Sequence, residues 1–281
     1  MNNFELFKLR KAGLSNLQIN NILAYQKREV KSLSLKDMAV VSGCSKPILF
    51  MESYKNLDLK ELRTSFNRFP SLSILDKEYP LELAEIYNPP VLLFYQGDLT
   101  LLESSKLSIV GARHCSDLGI KSVQKIIREL GNRFVIVSGL ARGIDTAAHM
   151  ACLKNGGKTI AVVGSGLDII YPKENEKLQK YLTKQHLVLS EYEPGQPPRK
   201  YHFPDRNRII AGLSRGTMVV EAKQRSGSLI TCERAVEEGR DVFAVPGNII
   251  DGKSEGCHHL IKEGAKCVNS GSDILSEYVK K

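Results

Sequence analysis

The sequence predicts an α/β protein in which a doubly wound, mostly parallel sheet follows a small all-helical domain. Three observations carry this. From residue 106 onward, short apolar runs alternate with amphipathic segments, the pattern of parallel strands covered on both faces. Before residue 70, apolar residues recur at helical spacing and no strand-like run intervenes. The chain has 281 residues, room for about two domains of ~150 residues each. That length buries a core without disulfide or metal staples.

Taken in order, Phe4, Leu6, Phe7 and Leu9 open an apolar stripe. A helical run follows Gly13 at 14–23, a second passes through Leu35, Met38 and Val41, and a third through Ile48, Phe50 and Tyr54. Residues 1–70 therefore read as a helical bundle. Residues 71–105 read as a connector, punctuated by Pro80, Pro89 and Pro90, with one strand at 91–95 and a Gly97-Asp98 turn. The domain at 106–281 has strands expected at 107–110, 134–137, 159–163, 187–190, 218–220, 242–245 and 266–268. Helices are expected near 117–131, 145–155, 174–183, 205–213, 228–238 and 256–263. That alternation is Rossmann-like.

A hydrophobic fraction of 42% and a charged fraction of 25% exclude disorder, collagen and coiled coil for the whole chain. No apolar run approaches the ~18 residues of a membrane span. The start, Met1-Asn2-Asn3-Phe4-Glu5, lacks the layout of a signal peptide. A cytoplasmic protein without membrane insertion is expected. The formal charge is +9, split as +5 over residues 1–80 and +4 over 81–281. There is no basic tail, so a polyanion site has to come from local placement. Six cysteines form no Cys-x-x-Cys pair. Cys257-His258-His259 has no second ligand cluster, so no metal is expected.

In a doubly wound sheet, ligands bind beyond the carboxyl ends of the strands. Those ends read Gly111-Ala112-Arg113, Ser138-Gly139-Leu140-Ala141-Arg142-Gly143, Gly164-Ser165-Gly166, and Glu221 leading to Arg225-Ser226-Gly227-Ser228. Glycines let a ligand approach the backbone, and helix starts present N–H groups to anions. Arg113, Arg142 and Arg225 would surround a phosphate-sized target. Neither Gly-x-Gly-x-x-Gly after the first strand nor a P-loop is present, so no nucleotide cofactor is expected. Asp145 and His149 share a helix face. They read as an acid/base pair or, by preference, as a cap and a packed histidine. No serine and histidine set completes a triad.

The densest segment is Arg199-Lys200-Tyr201-His202-Phe203-Pro204-Asp205-Arg206-Asn207-Arg208. Cations alternate with rings ahead of a helix. Alone, the segment reads as a surface loop with Phe203 tucked into the core; beside the phosphate loops it reads better as a single-stranded nucleic-acid site, a positive groove for the backbone and rings for the bases.

These stretches, with Arg225–Thr231 (225–231), Ala244-Val245-Pro246-Gly247 and Gly256-Cys257-His258-His259-Leu260-Ile261, resemble the DNA-processing protein A family (DprA/Smf). The match covers about 100–270, and the helical N-terminus resembles that family's sterile-alpha-motif-like domain. The resemblance implies an extended Rossmann-like fold used for single-stranded DNA in natural transformation, without enzymatic activity. It implies protection of incoming DNA, a homodimer, and loading of the RecA recombinase. By motif match, Arg113, Arg142, Lys173 and the 225–228 loop would hold phosphates, and Lys200 and Phe203 would meet the bases. Some members carry a C-terminal winged helix; this chain stops soon after the sheet, so that module is expected to be missing. Val236, His258, Leu260 and Ile261 are candidates for the dimer or recombinase surface, where an exposed apolar patch would favour association.

The alternative is a nucleotide enzyme of the nucleoside-monophosphate phosphoribohydrolase kind. It would use Gly164-Ser165-Gly166 and Ser226-Gly227-Ser228 for one phosphate and Asp145 or Glu221 for catalysis. A helical adaptor, a third reading, conflicts with the phosphate loops.

Overall fold

A computed structural model describes residues 1–29 and 32–278. The chain divides into two compact units, one ending at Phe94 and one beginning at Tyr95.

The first unit holds α1 (Asn3–Lys11), α2 (Asn16–Glu29), α3 (Leu35–Val41), α4 (Pro47–Lys55), α5 (Leu59–Phe66), β1 (Ser71–Ser73) and α6 (Leu81–Ala84). It also holds the start of β2 (Leu92–Gly97). Its sequence writes its own helix starts. Asn2 with Glu5, and Ser34 with Asp37, form reciprocal capping boxes. The Asp58 carboxylate accepts from Lys60 N and Glu61 N. Phe4, Phe7, Phe66 and Phe94 meet with ring centroids 5.4–6.0 Å apart, aromatic contacts worth about 0.5–1.5 kcal/mol each beyond burial.

The expected connector is not a separate piece. It contains two strands rather than one, β1 pairing antiparallel with β2 through Ser71↔Phe94, and Phe94 belongs to the aromatic cluster of the helices. Helix α5 is absent from the sequence expectation. Its apolar face is only Leu59, Leu62 and Phe66 among polar neighbours.

The second unit begins with a 3-10 turn (Leu99–Glu103), followed by β3 (Lys106–Gly111), α7 (Asp117–Leu130), β4 (Val135–Ser138), α8 (Ile144–Lys154) and β5 (Thr159–Val163). Next come a 3-10 turn (Lys173–Asn175), α9 (Glu176–Gln185), β6 (Leu187–Ser190), α10 (His202–Gly212), β7 (Gly216–Val220), α11 (Gly227–Glu237), β8 (Asp241–Ala244), α12 (Glu255–Lys262), β9 (Lys266–Cys267) and α13 (Gly271–Tyr278). These strands lie in the order β6-β5-β4-β3-β7-β8-β9, with each neighbouring pair parallel. The chain winds outward from β3 to β6, then returns to β7 beside β3 and winds the other way. The switch point is therefore the β3/β7 seam, where such sheets bind ligands.

One face of the sheet buries Leu107, Ile109, Ile136, Met218 and Phe243 against Val123, Ile126, Ile127 and Leu130 of α7. Polar residues inside the strands are satisfied by backbone carbonyls of the neighbouring strand: Ser138 Oγ donates to Ile109 O at 2.6 Å and Thr159 Oγ1 to Ile136 O at 2.6 Å. Two differences from expectation matter. Helix α10 starts at His202 rather than near 205, which puts Phe203 in its first turn. Helix α13 had no sequence signal strong enough to be read; it docks through Tyr278 on Phe134 and Phe243. Among the described residues, no helix is long and apolar enough to cross a membrane.

Candidate nucleic-acid interface

A groove of about 630 Å³ opens over the β3/β7 seam. One wall is Gly111-Ala112-Arg113 from the end of β3, and the opposite wall is Ser226-Gly227-Ser228 leading into α11. Between them runs one face of α10, where Phe203, Asn207 and Ile210 recur at spacings of four and three and line the groove with Lys200, which precedes the helix. A smaller cavity adjoins it, lined by Arg113, Gly139, Leu140, Arg142, Gly164, Tyr171, Phe203 and Arg206.

The floor is internal structure. Arg206 is 4% exposed. Its guanidinium donates to Gly139 O at 2.5 Å and to Val162 O, and burial pushes its pKa down to about 10 although Asp145 opposes the shift. Asp145 accepts from Gly139 N at 3.2 Å and Ala141 N at 3.4 Å; burial raises its pKa and Arg206 draws it back. Arg208 Nη2 reaches both Glu191 oxygens at 2.8 Å, away from the groove. A Cβ at Gly139 would collide with Arg206, and one at Gly164 would come within 3.2 Å of the Phe203 ring. These two glycines make room for α10.

The rim is different. Arg113 is exposed, forms no ion pair among the described residues, and lies 5.2 Å over the Phe203 ring. Phe203 is half-buried, and Tyr171 lies 5.6 Å from it. The start of α10 is pinned from below: His202 stacks on Tyr192 at 3.8 Å and its Nδ1 donates to Gly164 O at 3.0 Å. Phe203 is thereby held at the mouth of both cavities. Lys200 is exposed on the groove edge.

Three non-glycine residues, Leu140, Glu221 and Arg225, have φ of 55°, 50° and 61°. Left-handed backbone of this kind costs on the order of 1–3 kcal/mol each and gathers at functional sites. All three sit on the carboxyl edge of the sheet. Local bonds hold the first two. Asn175 Nδ2 donates to Leu140 O at 2.9 Å. The Glu221 carboxylate takes Ser116 N at 2.7 Å and the Ser116 hydroxyl. The helices beside the groove, α8, α10 and α11, begin at Gly143, Tyr201 and Ser226 without a side-chain cap, but in α8 Ile144 N and Thr146 N donate to Ala112 O and Ala141 O, and in α10 His202 N donates to Arg199 O. Ser226 Oγ bonds Ser228 Oγ at 2.7 Å instead. The first-turn N–H groups of α11 are left for an anion.

The structure thus gathers Gly111, Arg113, Lys200, Phe203, Arg206, Asn207, Ser226, Gly227 and Ser228 around one groove, with Arg142 on the adjoining cavity. Arg142 is held by Glu174 at 2.6 Å. Lys173 and Arg225 are exposed and follow or precede lining residues without lining the groove themselves. Ser138 is buried with its hydroxyl on Ile109 O. Gly166 serves a turn, its N–H on Gln196 O at 2.9 Å. Asn207 donates to Gly227 O at 3.2 Å, tying α10 to the α11 start.

Asp145 and His149 make no acid/base pair. With its single hydroxyl proton on Ile136 O, Thr159 accepts from His149 Nδ1 at 2.7 Å, which leaves Nε2 without a proton and without a partner. Cys257 is buried and directs its sulfur toward Val219 O, and His258 Nε2 sits 3.1 Å from Gly247 O. Val236 is 63% exposed on α11, and His258, Leu260 and Ile261 are half-buried on α12. Sequence reasoning missed Tyr171. Its one signal was a lone ring between the Gly164 loop and Lys173.

Residues 71–279 match the family described as DNA recombination-mediator protein A, and residues 1–62 match the DNA processing protein A sterile alpha motif domain. The chain is 61% identical over 276 residues to the DNA processing protein DprA of Streptococcus pneumoniae, covering 98% of each. It is similar to a solved X-ray structure of DNA processing protein A from Streptococcus pneumoniae at a TM-score of 0.98 and 60% identity, covering 100% of this chain and 99% of that one. It is also similar to a Helicobacter pylori DNA processing protein A structure whose subject is a single-stranded DNA binding mode. There the TM-score is 0.67 and the identity 29%, covering 75% of this chain and 96% of that one.

Proposed function

The chain belongs to the DNA recombination-mediator protein A family, and on that premise we propose that its β3/β7 groove binds single-stranded DNA. Neither matching family is described as an enzyme. The observation that supports the reading best is the contrast within one groove. Its floor arginine is consumed by the fold, while Arg113 on the rim is exposed and stacked on Phe203. Phosphates lie along Arg113, Lys200 and the open start of α11, with Lys173 and Arg225 at the margins. Bases meet Phe203 and Tyr171. Stacking on a ring is worth ~1–3 kcal/mol per base and tolerates any sequence.

The protein works in the cytoplasm on DNA taken up during natural transformation. It shields that DNA and delivers it to the RecA recombinase as a homodimer. The exposed Val236 and the α12 face bearing His258, Leu260 and Ile261 serve these protein contacts. The enzymatic alternative loses its residues, because Asp145 and Glu221 are both committed to backbone and hydroxyl groups of the fold.

Fluorescence anisotropy on oligonucleotides of mixed sequence tests the reading. Single strands should bind alike whatever their sequence and more tightly than duplex. Absence of binding, or a preference for duplex, would refute it. Recombinase filament assembly on coated single strands, with and without the protein, tests the loading role.

A further inference from the structure

We propose that the bound strand continues beyond the groove onto a basic face of α9, a surface recognising the polyanionic backbone of single-stranded DNA. This rests on the groove's being a single-stranded DNA site. Three observations carry it.

The first is continuity. The 3-10 turn at Lys173–Asn175 follows Tyr171 and Pro172, which line the cavity beside the groove, and runs straight into α9. Its Glu174 holds Arg142, another lining residue.

The second is the arrangement of charge. At 100° per residue, Lys177, Lys180, Tyr181 and Lys184 fall within about 100° of one another, and all four are exposed. Lys173 heads the same row. Gln179 and Leu182 on the opposite face are buried. The two carboxylates of this segment are already engaged, Glu174 by Arg142 and Glu176 by Lys180, each at 2.6 Å. Lys173, Lys177 and Lys184 have no carboxylate partner among the described residues. Lys158 is also exposed and donates to Gln185 O at 3.3 Å, extending the positive row past the helix end, where a cation is favoured by the helix dipole. From Lys177 to Lys184 the row spans about 10 Å at 1.5 Å per residue, with Lys173 in the 3-10 turn ahead of it.

The third is a ring among the cations. Tyr181 is 50% exposed and its inner side rests against His186 at 5.8 Å. A half-exposed ring flanked by lysines repeats the pairing of Phe203 with Arg113 and Lys200. Charge follows the phosphates, and the ring offers one more stacking surface.

The test is a length series. Oligothymidylates from about 5 to about 20 nucleotides are titrated by anisotropy against the wild-type chain, Lys177→Gln/Lys184→Gln and Tyr181→Ala, with thermal melts confirming that each variant folds. The shortest oligonucleotides should bind all three proteins within about twofold. On the longest, the double lysine variant should lose on the order of tenfold, with its salt slope lower by about 1.4, two phosphates at ~0.7 each. Tyr181→Ala should lose affinity on long strands without changing that slope. Equal affinities at every length would overturn the proposal, and so would an equal loss at every length, which would mean a field effect rather than a track. If the wild-type chain bound no oligonucleotide of any length, the groove reading would fall and this one with it.

Discussion

The helix starts of the N-terminal unit and of the groove differ, although α4 and α6 of the former also begin, at Lys46 and Pro80, without a side-chain cap. In the N-terminal unit, Asn2, Ser34 and Asp58 each close a helix start with their own side chains. On the groove side of the sheet no side chain caps α8, α10 or α11; backbone carbonyls close the first two, and α11 is left open. A missing cap costs roughly 1 kcal/mol, so the open start of α11 on the groove is retained against stability. The exception supports the rule: α7, on the same edge, is capped by Ser116, and the Glu221 carboxylate closes over Ser116 in turn. Where an acid already occupies the edge, the helix is sealed. Where phosphates are expected, it is open.

The sharpest break of this comparison lies within the groove itself. Arg206→Met removes the cation from a floor where Asp145 stays buried. It also leaves Gly139 O and Val162 O without their buried donor, at about 1–3 kcal/mol for each unsatisfied group, so urea unfolding should show a clear drop in midpoint. Arg113→Glu, on the rim, should leave that midpoint within about 0.5 kcal/mol while weakening every single strand alike. If both variants behaved the same, the division into floor and rim would be wrong.

Acid probes the sealed interior next. Unfolded, an imidazole takes up its proton near 6.5; burial holds His149 down to about 3, with His186 and Arg206 adding to the effect. Between those values the unfolded chain binds the extra proton, so stability should fall as pH drops, by up to about 1.4 kcal/mol per pH unit for one proton. Asp145, raised by burial, works in the opposite direction at acid pH. A series of denaturant titrations from pH 7 to 4 should give a steeper loss for wild type than for His149→Gln. Parallel slopes would remove His149 from the account.

Phe203→Ala should reduce single-strand affinity by the ~1–3 kcal/mol of one stacked base, with little change in salt slope, because the ring carries no charge. The smallest effects test the helix starts directly. Ser226→Asp would seal α11 with a charged cap, raising stability by about 0.3–1 kcal/mol and lowering affinity for single strands. Ser34→Ala should do neither: stability falls by about 1 kcal/mol and affinity is unchanged. A loss of DNA binding in Ser34→Ala would contradict the separation of roles.

The sheet was legible because its strands are buried on both faces, and a continuous apolar run such as Leu107-Ser108-Ile109-Val110 between turns has few other readings. The strand ends, with their glycines and arginines, marked the edge at which the groove opens. Sequence could not say which arginines face the groove. Arg206 and Arg208 sit in the same basic segment as Lys200, but α10 begins three residues earlier than its apolar pattern suggests. The extra turn brings Phe203 into the helix, while Arg206 and Arg208 are turned onto Gly139 O, Val162 O and Glu191. Nor could it show that Gly139 and Gly164 admit Arg206 and Phe203, since room for a ligand and room for a side chain look alike in one dimension. The left-handed Leu140, Glu221 and Arg225 carry no signal in residue type. Helix α5 and helix α13 were missed because each shows only a narrow apolar stripe.

The central claim is that the exposed rim, and not the chain's overall charge of +9, holds the DNA backbone. The most direct measurement is the slope of log affinity against log salt for wild type and for Arg113→Glu/Lys200→Glu on the same oligothymidylate. Each lost phosphate contact should flatten the slope by ~0.7, giving a reduction of about 1.4 for the pair. An unchanged slope, with affinity merely scaled, would show that the phosphates are held elsewhere.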